Sequence, residues 1–90
     1  MAQSMDIRES DRRIGESLAR LRRERGIRQS ELAQLLHSSQ SMVSKIEAGG
    51  RTLRVRELPA YATALGMDAQ ELATAVLDSL ADDTELSEGE

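Results

Sequence analysis

The sequence predicts an all-α domain of five short helices, and three observations carry that prediction. Apolar residues recur at helical spacing, and no stretch alternates strictly as a half-buried strand does. Gly26, the pair Gly49–Gly50 and Gly66 each close an amphipathic stretch, as residues just past a helix end do. Ser39 and Asp68 stand immediately before two of those stretches, where a short oxygen-bearing side chain caps the first turn.

The first helix is expected from Asp11 to Arg25, capped by Ser10 or Asp11, with Ile14, Leu18 and Leu21 facing the core. Its other faces carry Arg12, Arg13, Arg20, Arg22, Arg23 and Arg25. The spacings Glu16–Arg20 and Glu24–Arg28 read as i, i+4 ion pairs. A second helix, Gln29 to Leu36, turns Leu32, Ala33 and Leu36 inward and sets Glu31 at the positive end of its dipole. The third, Gln40 to Ala48, starts behind Ser39 and buries Val43 and Ile46. A fourth runs from Val55 to Leu65 with Leu58, Ala62 and Leu65 inward. Pro59 fits its first two turns, or equally a start at Leu58 with Pro59 at the first helical position.

The fifth helix, Ala69 to Ala81, opens on the capping pair Asp68 and Glu71. Its stripe of Leu72, Ala73, Val76, Leu77 and Leu80 is wider than one small core needs. Leu72, Val76, Leu77 and Leu80 are therefore the expected seam of a homodimer. Residues 1–9 read as a flexible arm, 10–81 as the domain and 82–90 as a disordered acidic tail.

Composition removes several classes of function. With 39% hydrophobic and 31% charged residues, the 90-residue chain is an ordinary globular domain. No cysteine and a single histidine, His37, exclude disulfides, thiolate metal sites and a His-based triad, so no metal, cofactor or catalytic residue is expected. No Gly-rich phosphate loop appears. Tyr61 is the lone aromatic, which argues against stacking on single-stranded bases. A membrane-spanning run and a basic-then-apolar leader are both missing from the sequence, which places the expected location in the cytoplasm. The net charge of −4 averages two regions: all 12 basic residues lie before position 67, and half of the 16 acids lie after it. A basic body joined to an acidic end points to a polyanion partner.

The segment RQSELAQLLHSSQSMVSKIEAGG, residues 28–50, places two short helices around the turn His37–Ser38–Ser39. Such a helix-turn-helix lays its second helix in the major groove of double-stranded DNA. With Val43 and Ile46 buried, Gln40, Ser41, Met42, Ser44 and Lys45 remain outside. These are short, amide or singly cationic side chains, suited to following base edges. Lys45, Arg51 and Arg54 are placed to neutralise phosphates.

From Ile14 to Leu72 the chain resembles the phage lambda repressor and Cro-type helix-turn-helix family, also called the xenobiotic-response-element family. The matching stretches are LRRERGIRQSELA (21–33), SSQSMVSKIEAGGR (38–51) and LPAYATALG (58–66). This resemblance implies a five-helix DNA-binding domain acting as a homodimeric repressor on a palindromic operator. It implies that Gln29 clamps the DNA backbone, that Gln40 and Ser41 reach bases, and that Ser44 and Lys45 touch bases or phosphate. Arg22 and Glu47 match a pair that ties the first helix to the end of the third.

Three departures stand out. His37 replaces a glycine in a turn that calls for positive φ, a conformation in which histidine is enriched among other residues. Ser38 replaces an aliphatic residue under the turn. Arg28 replaces a Ser or Thr cap and brings a cation toward the DNA backbone. The same fold serves antitoxins, which bind a promoter and a toxin, so a toxin or another regulator is a possible protein partner; a rival reading is an interaction adaptor that has lost DNA binding.

Overall fold

In the computed structural model the backbone is described for residues 7–88 and the side chains for residues 7–81. The order is α1 (Ile7–Glu24), α2 (Gln29–Leu35), α3 (Gln40–Glu47), a 3-10 turn (Val55–Glu57), α4 (Leu58–Leu65) and α5 (Ala69–Glu88). No strand occurs among the described residues. The architecture is the five-helix, lambda-repressor-like one.

One core joins all five helices. Leu18 and Leu21 enter from α1, Leu32 from α2, Val43 and Ile46 from α3, Leu65 from α4 and Leu72 from α5. Burying each fully apolar side chain of this size stabilises the fold by about 1.5–3 kcal/mol. Tyr61 of α4 is the largest fully buried side chain; burial raises its pKa, with Glu47 adding to the effect. α1 packs on α3 and α5, α2 on α3, and α4 on α5, so α3 is held from behind while one face stays open.

Glycines let α1 approach α3 closely. A Cβ at Gly15 would lie 2.6 Å from the carbonyl oxygen of Glu47 and collide with that of Ile46. At Gly49, with φ of +83°, it would lie 2.8 Å from Arg12 Cα. Backbone therefore touches backbone where α3 ends.

Several boundaries differ from those expected. α1 starts at Ile7 rather than Asp11, so Ser10 and Asp11 are helical and residues 7–9 belong to no flexible arm. The reason is local: Glu9 lies in the first turn and accepts hydrogen bonds from Arg12 and Arg13. Of the two starts open for the fourth helix, the structure takes Leu58, with Pro59 in the first turn and a separate 3-10 turn before it. α5 continues to Glu88, because no Gly or Pro interrupts the chain between Gly66 and Gly89. Residues 82–88 thus prolong a helix instead of forming a disordered tail. Positions 1–6 of the expected arm and 89–90 of the tail lie outside the described residues.

Two of the four expected seam residues are corrected by burial. Leu72 is wholly enclosed and Val76 is buried in the same core, so neither has surface left for a partner. Leu77, by contrast, is 62% exposed, and Leu80 is half-buried.

Candidate nucleic-acid interface

The turn between α2 and α3 is set by backbone hydrogen bonds and one side-chain cap. The Ser38 amide donates to the Ala33 carbonyl at 2.9 Å, wrapping the end of α2, and His37 takes φ of +55° to allow it. Histidine thus occupies the left-handed position expected from its place in the turn. The Ser39 hydroxyl oxygen accepts from the Met42 amide at 3.1 Å and starts α3. Arg28 carries no capping oxygen at the start of α2. Glu31 acts instead: its carboxylate accepts from the Arg28 amide at 2.8 Å, which holds that carboxyl below its usual range, and from the Arg28 guanidinium at 3.4 Å.

Behind α3 lies a chain of polar contacts. Arg22 donates through Nε and Nη2 to the two carboxylate oxygens of Glu47, at 2.7 and 3.0 Å, and through Nη1 to the Ile27 carbonyl at 2.7 Å. The Glu47 side chain is 6% exposed. Its Oε1 also accepts from Gln29 Nε2 at 2.9 Å. Gln29 Oε1 in turn accepts from Gln40 Nε2 at 3.3 Å. Arg22 and Glu47, expected as a tie, and Gln29 and Gln40, expected as DNA contacts, are therefore one connected unit. It runs from a buried guanidinium to the first exposed residue of α3.

The open face of α3 carries Gln40, Ser41, Ser44 and Lys45, all exposed. Gln29 and Ser44 also line a groove of about 290 Å³ between α1 and α3. Arg51 and Arg54 are gathered elsewhere, around Glu57. Arg51 donates to both oxygens of Glu57, at 3.1 and 2.7 Å, and to the Thr52 carbonyl at 3.0 Å. The Arg54 amide donates to Glu57 Oε1 at 2.8 Å. Together they hold the Glu57 carboxyl at about 2, the Arg51 guanidinium contributing most. Arg51, expected only as a phosphate ligand, is thus first a loop fastener whose charge is offset. Arg54 keeps an exposed side chain.

Sequence reasoning missed two residues. Glu57 bears no motif of its own, although an acid three residues after Arg54 and six after Arg51 was a usable signal. Gly15 sits in the middle of a helical stretch, a position that favours other residues unless two backbones must touch. The surface pairs of α1 and of the α2 cap also differ: Arg12 bridges Glu9 and Glu16, and Arg28 bonds Glu31, in place of Glu16–Arg20 and Glu24–Arg28. Glu16 is taken by Arg12 on the turn before it, and Glu31 holds Arg28 within the same cap, so neither expected pair forms.

Comparison with known proteins agrees with this geometry. Residues 13–75 match the family model described as a helix-turn-helix domain. A curated relative from Sinorhizobium fredii, the uncharacterized HTH-type transcriptional regulator y4dJ, is 40% identical over 70 residues, covering 78% of this chain and 87% of its own length. Among solved structures, the restriction-modification controller protein C.AhdI from Aeromonas hydrophila superposes with a TM-score of 0.69 at 31% identity, over 76% of this chain and 99% of that one. The clp gene regulator ClgR from C. glutamicum shares the fold, with a TM-score of 0.71 at 23% identity, over 87% and 97% of the two chains. Among the described residues no helix is long and apolar enough to cross a membrane.

Proposed function

The chain belongs to the helix-turn-helix domain family of DNA-binding transcriptional regulators, and from that premise we propose that it is a homodimeric repressor reading a palindromic operator. The observation that carries this reading is the Gln29–Gln40 hydrogen bond, with Gln29 anchored on Glu47. It fixes the amide that opens α3 before DNA arrives. A carboxamide held in this way can pair with adenine through two hydrogen bonds, a contact worth about 1–3 kcal/mol of discrimination. Ser41, Ser44 and Lys45 extend the reading face along α3. Gln29, Arg28 and Arg54 hold the DNA backbone, with Arg51 contributing less because Glu57 balances its charge.

One α3 offers few base contacts, too little discrimination to select a single site in a genome. Two copies, with their reading helices about 34 Å apart, answer this requirement. Leu77 and Leu80 on α5 supply the seam, leaving α3 free. An adaptor role would leave the Gln29–Gln40 anchoring without purpose.

The test is selection of bound sequences from a random duplex library, combined with sedimentation. The expected result is a two-fold symmetric site bound by two copies. Leu77→Glu with Leu80→Glu should give a folded monomer that loses most site affinity. Selection without any sequence preference would overturn the reading. So would one monomer bound per site.

A further inference from the structure

The groove between α1 and α3 has a polar lining whose charges do not cancel. Glu16 and Arg23 reach it from α1, Gln29 from α2, and Ser44 and Glu47 from α3, while Ala19 leaves its space open. Both carboxylates are matched by arginines outside the lining. Glu16 is bonded to Arg12 at 2.8 Å, and Glu47 to Arg22. What remains is the guanidinium of Arg23, exposed and without an ion-pair partner among the described residues. The groove therefore carries one uncompensated positive charge beside the reading helix.

Its neutral groups are donors with capacity to spare. The Gln29 amide nitrogen carries two hydrogens and gives one to Glu47; its oxygen already accepts from Gln40. That leaves one N–H. The Ser44 hydroxyl has no hydrogen-bond partner among the described residues and can donate as well. One cation and two residues with spare donors line a cavity of about 290 Å³ whose two carboxylates are already paired, a lining that suits a tetrahedral anion with several acceptor oxygens.

We propose that this groove seats one phosphate of the DNA backbone, and that Arg23 supplies the charge that holds it. The inference rests on the DNA-binding reading of α3. It assigns a contact to a residue of α1 that otherwise reads as solvated surface. The phosphate sits against Gln29 and Ser44, so its position also sets the depth at which α3 enters the groove. A phosphodiester is the fitting source, because Ser44 lies on the same helix as the base-reading residues.

The test compares Arg23→Ala with Arg20→Ala, an equal loss of charge from an exposed α1 residue that does not line the groove. Circular dichroism and melting should match the wild type for both, since neither side chain has a partner to lose. Binding to the selected duplex and to a random one is titrated against salt. One phosphate contact contributes about 0.9 to the slope of log affinity against log salt, or about fivefold in affinity at ~0.15 M. Arg23→Ala should lose that much on both duplexes, and Arg20→Ala clearly less. In duplexes carrying a single methylphosphonate, one neutralised position per half-site should weaken the wild type clearly more than it weakens Arg23→Ala.

Equal losses in the two variants, or an unchanged slope for Arg23→Ala, would overturn the inference while leaving DNA binding intact. The same holds if every position that matters to the wild type matters equally to the variant. A wild type with no salt-dependent duplex binding would overturn the functional reading and this inference with it.

Discussion

Glu47→Ala removes the centre of the polar chain behind α3, and its cost can be worked from the contacts. Glu47 accepts three hydrogen bonds, two of them from the guanidinium of Arg22. Without it, Arg22, with a side chain only 11% exposed, keeps the Ile27 carbonyl alone. Each lost bond to a charged group contributes about 1.5–3 kcal/mol when its partner is left stranded. Part of that returns, because Glu47 no longer has to be desolvated and the guanidinium edge can reach water. The net expectation is about 2–3 kcal/mol. For a domain of this size the total is about 5–13 kcal/mol, and the melting temperature should fall by about 10–20 °C. Urea unfolding followed by far-ultraviolet circular dichroism measures the loss directly. Arg22→Ala alone strands the carboxylate in the same way, so the double variant should cost less than the sum by about 1–2 kcal/mol. Single costs that add to within about 0.5 kcal/mol would show that the pair acts as two independent residues, and the reasoning would fail.

Gly15→Ala should destabilise the domain by about 1–3 kcal/mol in the same assay, despite the better helix propensity of alanine, because the new methyl meets the Ile46 and Glu47 carbonyls. Acid should weaken the loop between α3 and α4. The Glu57 carboxyl is depressed from 4.5 to about 2, so its contribution is complete above pH 4.5 and is lost as pH falls toward 2. Urea midpoints measured across that window should show a step of about 1 kcal/mol, and Glu57→Gln should abolish it. Gln40→Ala should cost about 1–3 kcal/mol on the selected duplex and relax one base position, with random duplex bound as before; a repeat selection with the variant reads this out.

Most of the fold was legible because its signals are local. Ser39 caps α3 as its position implies, and Asp68 with Glu71 opens α5, since a cap involves only neighbours along the chain. The periodic faces of α2 and α3 named Leu32, Ala33, Val43 and Ile46 as core, and all four are buried. The excess stripe on α5 could not be divided from sequence alone. Leu72 and Val76 went to the core and Leu77 outward only because α1 and α4 pack on one side of that helix. Arg22 with Glu47 was readable through family likeness. Arg51 with Glu57 left a weaker signal, an acid six residues on, because a pairing across an irregular loop follows no helical spacing. Gly15 was overlooked for a related reason: its purpose is a backbone contact with α3, which no periodicity displays.

These contacts determine how the reading helix is presented. α3 is fixed at its end by Gly15 and Gly49, where α1 lies against it without intervening side chains. At its start it is fixed by Ser39 and by Gln40 bonded to Gln29. A helix anchored at both ends loses little further freedom on docking, so less of the contact energy is offset by ordering. The charges follow the same plan. Arg22 and Arg51 face internal acids and contribute rigidity, while Lys45, Arg54 and Arg23 stay exposed, the three cations that the proposed docking sets against phosphate. The acids Glu71 and Asp78 lie on exposed positions of α5. On the proposed reading, basic side chains beside α3 and acids along α5 would turn the domain toward a duplex before contact, which speeds productive encounter at low salt more than it deepens the final affinity.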